Sequence, residues 1–175
     1  MEEYKKRISL IHHDLGIPES YESEYGLKLQ KEEVELIEIG SDVYGRVQRL
    51  VPVAASAWER MKDHAQREGV TLDIVSAFRA VEKQNEIIQK KIDLGQAVSE
   101  ILKVCAAPGY SEHHTGRAVD LTSVECDPLS EMFEDTEAFS WLLRNANLHS
   151  FNLSYPKGNK LGISYEPWHW VYKDT

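Results

Sequence analysis

The chain has 175 residues, a hydrophobic fraction of 42%, a charged fraction of 28% and a formal net charge of −9. This length and composition are typical of one domain with a single sizeable core. The acidic balance offers neither a basic stripe for nucleic acid nor a polybasic segment for an anionic membrane. No apolar run is long enough to predict a membrane span, and the N-terminus lacks the apolar region of a secretory signal, so we expect a cytoplasmic protein.

Cysteine usage is sparse. Cys105 and Cys126 are the two cysteines of the chain, too few for a disulfide framework. We expect two free thiols that pack as small apolar side chains, with a bridge between them as the less favoured alternative.

The first 50 residues have the weakest periodicity. A short helix is predicted over residues 3–15, and Gly16 and Pro18 are suited to end it. Residues 19–31 carry many charges and indicate a surface segment. Residues 34–39 alternate apolar and acidic side chains in a strand-like pattern that slips, and Gly40, Ser41 and Asp42 predict a turn after it.

The middle of the chain has stronger signals. Pro52 is suited to begin a helix, apolar side chains recur after it at helical spacing, and Gly69 is suited to end it. Residues 71–78 are rich in strand formers and predict a central strand. The spacing of Val81, Ile88 and Ile92 predicts the next helix, and a shorter helix is predicted over residues 98–104.

Three further elements complete the prediction. Residues 117–122 and 168–172 are expected to form strands, and Asp135 or Thr136 can cap a helix that continues to Ala146. Helices and strands are mixed without regular alternation, which favours an α+β fold with a small, mostly antiparallel sheet flanked by helices. We expect a single domain over residues 1–175, with the motifs in residues 52–173 and an N-terminal extension of uncertain structure in residues 1–50.

Two polar clusters indicate a metal site. Alternation along residues 117–122 puts Val119 and Leu121 on the core face and Asp120 on the opposite face. Along the last strand, His169 lies opposite a row of bulky aromatic side chains. His113 precedes Asp120 across a loop in which a glycine permits a turn. Because a catalytic zinc keeps three protein ligands and one open position, His113, Asp120 and His169 together predict a zinc site.

Glu166 is the predicted general base beside that site. It lies three residues before His169, and Pro167 interrupts the strand between them, so its carboxylate can enter the site from a turn. Glu112 and Glu125 are rival bases, although solvated surface carboxylates are the preferred interpretation of both. An ordinary pair of histidine and aspartate without a metal is the alternative for the whole cluster.

Arg79 directly follows the predicted strand over residues 71–78, at a place where site residues are often presented. Its guanidinium could stabilise an oxyanion or bind a carboxylate; the alternative is a surface arginine. The other histidines are interpreted as surface or supporting residues: His12, His13, His64, His114 and His149.

These residues resemble a known family, the zinc peptidases named after lysostaphin, D-Ala-D-Ala carboxypeptidases and sonic hedgehog. Within it the chain is similar to the VanY-type D-alanyl-D-alanine carboxypeptidases and dipeptidases of peptidase family M15. Its patterns are S-x-H-x-x-G-x-A-x-D, E-P-W-H, and S-x-x-R followed five residues later by Gln. They are met by Ser111, His113, Gly116, Ala118 and Asp120; by Glu166, Pro167, Trp168 and His169; and by Ser76, Arg79 and Gln84.

The resemblance implies a fold like that of hedgehog and the D-Ala-D-Ala peptidases, with one Zn²⁺ per chain. It implies that the metal ligands are His113, Asp120 and His169. It implies that the catalytic residues are Glu166 and Arg79, and that Ser111 and Gln84 are substrate-binding or supporting residues. One departure is Val171, since many VanY-like chains have an arginine two residues after the last ligand.

The function that the resemblance implies is a zinc-dependent D-alanyl-D-alanine carboxypeptidase. Its expected partner is a peptidoglycan peptide or a precursor that ends in D-Ala-D-Ala, with no nucleic acid and no membrane span. Two alternatives stay open: a peptidoglycan endopeptidase of the L-alanyl-D-glutamate type, and a non-catalytic zinc-binding interaction domain.

Overall fold

The computed structural model describes residues 1–174 and has six helices, three short 3₁₀ turns and six strands within that range. The helices are α1 (Glu2–Leu15), α2 (Tyr21–Tyr25), α3 (Pro52–Arg67), α4 (Val81–Asp93), α5 (Val98–Val104) and α6 (Glu137–Asn145). The strands are β1 (Ile37–Ser41), β2 (Val47–Leu50), β3 (Asp73–Ser76), β4 (Ala118–Thr122), β5 (Phe151–Leu153) and β6 (His169–Tyr172). The 3₁₀ turns are Glu112–Thr115, Glu131–Asp135 and Ala146–His149.

Four strands form one antiparallel sheet in the order β3-β4-β6-β5, and β1 and β2 form a separate antiparallel hairpin. Val119 and Leu121 of β4 are fully buried in the larger hydrophobic cluster, together with Trp58 and Met61 of α3. The prediction of an α+β fold with a small antiparallel sheet flanked by helices is therefore confirmed.

The predicted central strand is wrong in both length and position. β3 spans only Asp73–Ser76 and lies at the edge of the four-stranded sheet. Isolated hydrogen bonds from the hairpin region cover this edge: the Val43 amide donates to the Ile74 carbonyl at 2.9 Å, and the Phe78 amide donates to the Arg49 carbonyl at 3.1 Å. An apolar strand can therefore occupy an edge because its outer backbone groups still find partners.

The hairpin also differs from the prediction. β1 begins at Ile37 and continues through Ser41, so the turn comes later than residues 40–42. Asp42 organises it, because one carboxylate oxygen accepts from the Tyr44 and Arg46 amides, each at 2.9 Å. β2 was not predicted, since four residues are too few to show an alternating pattern.

The N-terminal segment belongs to the core. Tyr21 and Leu27 are 1% and 7% exposed, so the prediction that residues 19–31 form a surface segment is wrong for these side chains. They belong to a second hydrophobic cluster that includes Ile88 of α4 and Ile101 of α5. The Tyr21 hydroxyl also accepts a hydrogen bond from the Ala107 amide at 3.0 Å.

Several predicted helix boundaries are confirmed. α1, α3, α4 and α5 lie where the sequence places them, and Thr136 caps α6 by accepting from the Phe139 amide at 3.1 Å. Cys105 and Cys126 are both free thiols. No helix within residues 1–174 combines the length and the apolar character needed to cross a membrane.

Candidate active site

A tight turn delivers the first candidate ligand. The Ser111 hydroxyl accepts from the His113 amide at 3.4 Å and opens the 3₁₀ turn. Gly116 ends that turn with φ +63°, in the left-handed region. A Cβ on Gly116 would lie 2.7 Å from Leu36 Cδ2 and 3.2 Å from the Val51 nitrogen. The Ser-x-His-x-x-Gly spacing therefore reverses the chain into β4 within a crowded corner.

The three predicted ligands meet at the centre of the sheet. Asp120 of β4 pairs directly with His169 of β6, and their side chains lie on the same face. Asp120 Oδ1 is 2.9 Å from His169 Nδ1, and Oδ2 is 3.1 Å from His113 Nε2. Each of these residues is 3–4% exposed, and one potential ligand atom from each lies within 4.8 Å of the others.

The outer nitrogens of both histidines have partners. His113 Nδ1 lies 2.6 Å from the Ala77 carbonyl, which can only accept, so this nitrogen carries the proton. His169 Nε2 lies 3.0 Å from Glu112 Oε2. Each imidazole therefore has one nitrogen next to an acceptor and the other facing Asp120. Histidine ligands of metal sites commonly donate the nitrogen that does not bind the metal to such an acceptor.

The cluster fits a zinc ion. Burial lowers the pKa of His113, so its Nε2 is unprotonated and faces the Asp120 carboxylate as a second electron-pair donor. Two acceptor atoms 3.1 Å apart in a buried site repel each other unless a cation lies between them. Two imidazole nitrogens and one carboxylate oxygen are also a donor set that catalytic zinc uses.

Without a cation, His169 balances the carboxylates. Burial alone would lower its pKa, but the hydrogen bonds with Asp120 and Glu112 raise the pKa of His169 to about 10. Burial would likewise raise the pKa of Asp120, but attraction to His113 whenever that ring is protonated, together with the hydrogen bond and charge of His169, holds that pKa well below its usual range. Metal binding would therefore displace a proton from His169 Nδ1.

Glu166 reaches the cluster from the turn before β6. Pro167 lies in this turn, so Glu166 is outside the strand, as the sequence indicated. Its Oε2 lies 3.9 Å from His169 Nδ1, and its side chain is 13% exposed. Burial raises the pKa of Glu166 to about 7, although the charges of His169 and Arg79 partly oppose the rise. A carboxyl group with a pKa near neutrality is suited to accept and return a proton.

Arg79 lies on the other side of Asp120. Its two terminal nitrogens donate to Gln84 Oε1 at 3.0 Å and to the Ser76 hydroxyl at 2.9 Å, and one of them lies 3.7 Å from Asp120 Oδ2. Gln84 is 1% exposed and also donates to the Ala106 carbonyl at 2.7 Å. The Ser-x-x-Arg spacing with Gln84 therefore fixes the guanidinium, and Gln84 lies beneath it as a support.

All seven predicted site residues line or adjoin one cleft with a volume of about 430 Å³. A larger hollow of about 720 Å³ lies beside α1 and contains none of them. The smaller cleft also contains Tyr155, whose ring centroid is 4.9 Å from that of His169. Tyr155 carried no sequence signal, since neither its spacing nor its neighbours are distinctive.

Two supporting residues are more important than the sequence indicated. The interpretation of Glu112 as a solvated surface carboxylate is wrong, because its side chain is 23% exposed and contacts His169. His114 is fully buried; its Nδ1 donates to the Arg79 carbonyl at 2.6 Å, and its Nε2 accepts from the Gly109 amide at 3.1 Å. The position of both next to His113 was the available signal. Glu125 is exposed, as predicted.

A buried histidine–aspartate–histidine cluster on an antiparallel sheet, with a carboxyl group and an arginine beside it, is the arrangement expected from the resemblance to zinc peptidases. The comparison with protein families identifies the family. Residues 47–175 match the family model described as VanY: D-alanyl-D-alanine carboxypeptidase. The chain therefore belongs to the VanY family of peptidase family M15, which confirms the resemblance predicted from its motifs.

Among curated proteins, YodJ of Bacillus subtilis (strain 168) is 37% identical over 123 residues, covering 68% of this chain and 44% of YodJ. The bifunctional D-Ala-D-Ala dipeptidase and carboxypeptidase VanXYC of Enterococcus gallinarum is 31% identical over 139 residues, covering 75% of this chain and 68% of that protein. The chain thus spans less than half the length of YodJ.

Solved structures show the same fold. The LdcB LD-carboxypeptidase matches with a TM-score of 0.73 and 30% identity, covering 83% of this chain and 71% of LdcB. VanYB in complex with D-alanine-D-alanine matches with a TM-score of 0.64 and 29% identity, covering 80% of this chain and 77% of VanYB. A VanY variant in complex with Zn(II) matches with a TM-score of 0.63 and 28% identity, covering 81% of this chain and 79% of the VanY variant.

Proposed function

We propose that this protein is a zinc-dependent D-alanyl-D-alanine carboxypeptidase that acts on peptidoglycan peptides or their precursors. The observation that carries the proposal is the convergence of His113, Asp120, His169, Glu166 and Arg79 in one cleft. Membership of the VanY family and the similarity to a VanYB structure with bound D-alanine-D-alanine support the choice of substrate.

Each residue has a distinct task in the proposed reaction. His113, Asp120 and His169 would hold the zinc, which when bound would supply Lewis-acid polarisation of the scissile carbonyl and would lower the pKa of the attacking water. Glu166 accepts the proton of the attacking water and later donates it to the leaving D-alanine nitrogen. Arg79 stabilises the negative charge that develops on the carbonyl oxygen.

The presence of both a candidate base, Glu166, and a candidate oxyanion-stabilising group, Arg79, favours an enzyme over a non-catalytic zinc domain. A structural zinc site is normally closed by four protein ligands and needs no base. Here three ligands lie beside a carboxyl group with a pKa raised to about 7 by burial, and the guanidinium is fixed within the same cleft. Both features are expected of a catalytic centre.

A second candidate is an L,D-carboxypeptidase, which would remove the final D-alanine from a shorter stem peptide after an L-configured centre. It is favoured by the similarity to the LdcB LD-carboxypeptidase, at a TM-score of 0.73. The chemistry is identical in both cases. The candidates differ in whether the cleft accepts a D-alanine or an L-centre residue before the scissile bond.

One assay separates these functions. Zinc-loaded protein is incubated with synthetic stem pentapeptide ending in D-Ala-D-Ala, with the tetrapeptide ending in a single D-Ala, and with the all-L isomer of the pentapeptide. We expect release of the C-terminal D-alanine from the pentapeptide, and little release of the C-terminal L-alanine from the all-L isomer. Preferred cleavage of the tetrapeptide would favour the L,D-carboxypeptidase, and cleavage after the first L-alanine would favour the endopeptidase.

A matched variant ties the activity to the site. Glu166→Gln keeps the size of the side chain but cannot accept a proton, so D-alanine release should fall by about 10²–10⁴-fold while zinc content stays near one per chain. Zinc binding without cleavage of any of these peptides by the wild-type protein would instead support the non-catalytic domain.

A further inference from the structure

We propose that Glu112 is a positioning residue that fixes the orientation and tautomer of His169 for metal binding. This role goes beyond the proposed function and does not depend on which peptide bond is cleaved. It assigns a task to a residue between two motif positions, Ser111 and His113, that the motif itself leaves undefined.

The contact itself is well defined. Glu112 Oε2 lies 3.0 Å from His169 Nε2, and the side chains of Glu112 and His169 are 23% and 4% exposed. The opposite ring nitrogen, Nδ1, lies 2.9 Å from Asp120 Oδ1, within the three-residue cluster. An ionised carboxylate accepts only, so Nε2 must carry a proton when it bonds to Glu112. A neutral His169 therefore has its free electron pair on Nδ1, directed at the metal position.

Glu112 acts from the far side of the imidazole. The two ring nitrogens point in diverging directions, and Glu112 takes the one that faces away from Asp120 and His113. Among the described residues, the group of potential metal ligands consists of His113, Asp120 and His169, without Glu112. This geometry makes Glu112 neither a ligand nor the general base, and Glu166 keeps the latter role.

The two histidines are fixed by equivalent means from different parts of the chain. The Ala77 carbonyl fixes His113 through Nδ1 at 2.6 Å, and Glu112 fixes His169 through Nε2 at 3.0 Å. A backbone carbonyl cannot be removed by mutation, whereas a carboxylate can. The ring of Tyr155, at 4.9 Å and 31° from that of His169, restrains the imidazole plane but offers no acceptor to either ring nitrogen. Glu112 is thus the side chain that selects the tautomer.

The test measures zinc affinity, separately from peptide cleavage. Wild-type protein, Glu112→Gln, Glu112→Ala and the surface control Glu125→Ala compete for zinc with a chromogenic chelator at fixed pH. Loss of such a supporting partner typically lowers metal affinity by about 10–100-fold. We expect that loss for Glu112→Ala, a smaller loss for Glu112→Gln because its amide oxygen can still accept from Nε2, and no change for Glu125→Ala.

A second readout separates positioning from a general structural role. The electronic spectrum of the Co²⁺-substituted protein reports ligand geometry, and it should change in Glu112→Ala and largely recover in Glu112→Gln. Thermal unfolding of each metal-free variant shows whether the fold is kept. Zinc affinity within about twofold of wild type in a folded Glu112→Ala protein, or equal losses in the Ala and Gln variants, would overturn the proposal. An inactive wild-type enzyme would contradict the proposed function but leave this result interpretable.

Discussion

Arg79 is fixed on two sides before any substrate binds. Its guanidinium uses one terminal nitrogen for Gln84 and the other for Ser76, and Arg79 lines the cleft. A group that is already oriented stabilises developing charge without the cost of reorganisation. This pre-organisation favours a transition-state role for Arg79, which stays a prediction.

Arg79→Ala should therefore lower kcat and kcat/KM together, by about 10²–10³-fold. Arg79→Lys should restore only part of the rate, because an ammonium group cannot reproduce the planar fork that bonds both Gln84 and Ser76. Steady-state kinetics with a peptide ending in D-Ala-D-Ala measure both parameters. A rise in KM at constant kcat would instead make Arg79 an anchor for the substrate carboxylate.

His114 predicts a dependence of stability on pH. Burial lowers its pKa to about 4, and both of its ring nitrogens are used by backbone groups of Arg79 and Gly109. In the unfolded chain a histidine has a pKa of about 6.5, so the unfolded state binds more protons between these values. The contribution of neutral His114 is complete above pH 6.5 and is lost as the pH falls from about 6.5 towards 4.

The free energy of unfolding of the metal-free protein should thus decrease between pH 7 and pH 5, and His114→Gln should show a smaller decrease. Urea denaturation at each pH provides the measurement. His13→Gln is the matched control, since the His13 side chain is 87% exposed and should leave the pH dependence unchanged. An identical slope for wild type and His114→Gln would show that His114 does not carry the effect.

At the scale of elements, the turn that ends at Gly116 sets the relation between His113 and Asp120. Gly116→Ala places a methyl group 2.7 Å from Leu36 at a φ of +63°, and should lower the free energy of unfolding by about 1–3 kcal/mol. Zinc affinity should fall as well, because the candidate ligands lie on either side. Gly158→Ala is the control: its φ is +72°, with no neighbouring atom within 4 Å of the new carbon. Equal losses of stability and affinity in both variants would contradict the steric argument.

The sequence predicted elements with several periods of a clear pattern and missed those without. α3 has enough residues to show its spacing, whereas β2 and β5 have four and three residues. β6 is as short as β2 but was predicted, because its aromatic side chains alternate with His169. The edge position of β3 depends on contacts with the hairpin that no local pattern contains. Glu112 contacts His169, which is distant in the chain, so the burial of Glu112 could not be predicted from the local pattern, and its position beside His113 was the one available signal.

Motif spacing predicted the site more completely than the fold. Seven residues from three motifs were expected to meet, and the structure brings them to one cleft, because each motif ends a strand or fills a tight turn. Their individual roles, the single-domain organisation and the cytoplasmic location stay predictions. The family is confirmed by the comparisons, and the zinc cofactor is supported by the solved VanY variant that contains Zn(II) together with the three-residue group of potential ligands.

At the scale of the whole molecule, the N-terminal segment completes the fold around the family-matched region. Residues 1–46 lie outside the matched range, yet Tyr21 is 1% exposed and packs in a cluster with Ile88 and Ile101. The Glu32 carboxylate also accepts from the Val81 amide at 2.6 Å, at the start of the helix that supports Arg79 through Gln84. The segment therefore stabilises one wall of the cleft.

Tyr21→Ala should lower the free energy of unfolding by about 3–5 kcal/mol, the range for a large buried aromatic side chain. Tyr44→Ala is the control, since Tyr44 is 61% exposed and should change stability by less than about 0.5 kcal/mol. Chemical denaturation of the two variants beside wild type measures the difference. Similar small effects for both would mean that the second cluster contributes little to global stability.

The direct pairing of Asp120 with His169 also has a consequence for folding fidelity. Side chains alternate between the faces of a sheet, so β6 paired one residue out of step would turn His169 into the core and leave Asp120 without its partner. Such a misfolded chain could not assemble the three-residue cluster and would gain nothing from zinc. A ligand stabilises only the state that binds it. Zinc would therefore lower the free energy of the correctly paired sheet alone, and would shift the population towards molecules with the correct strand register.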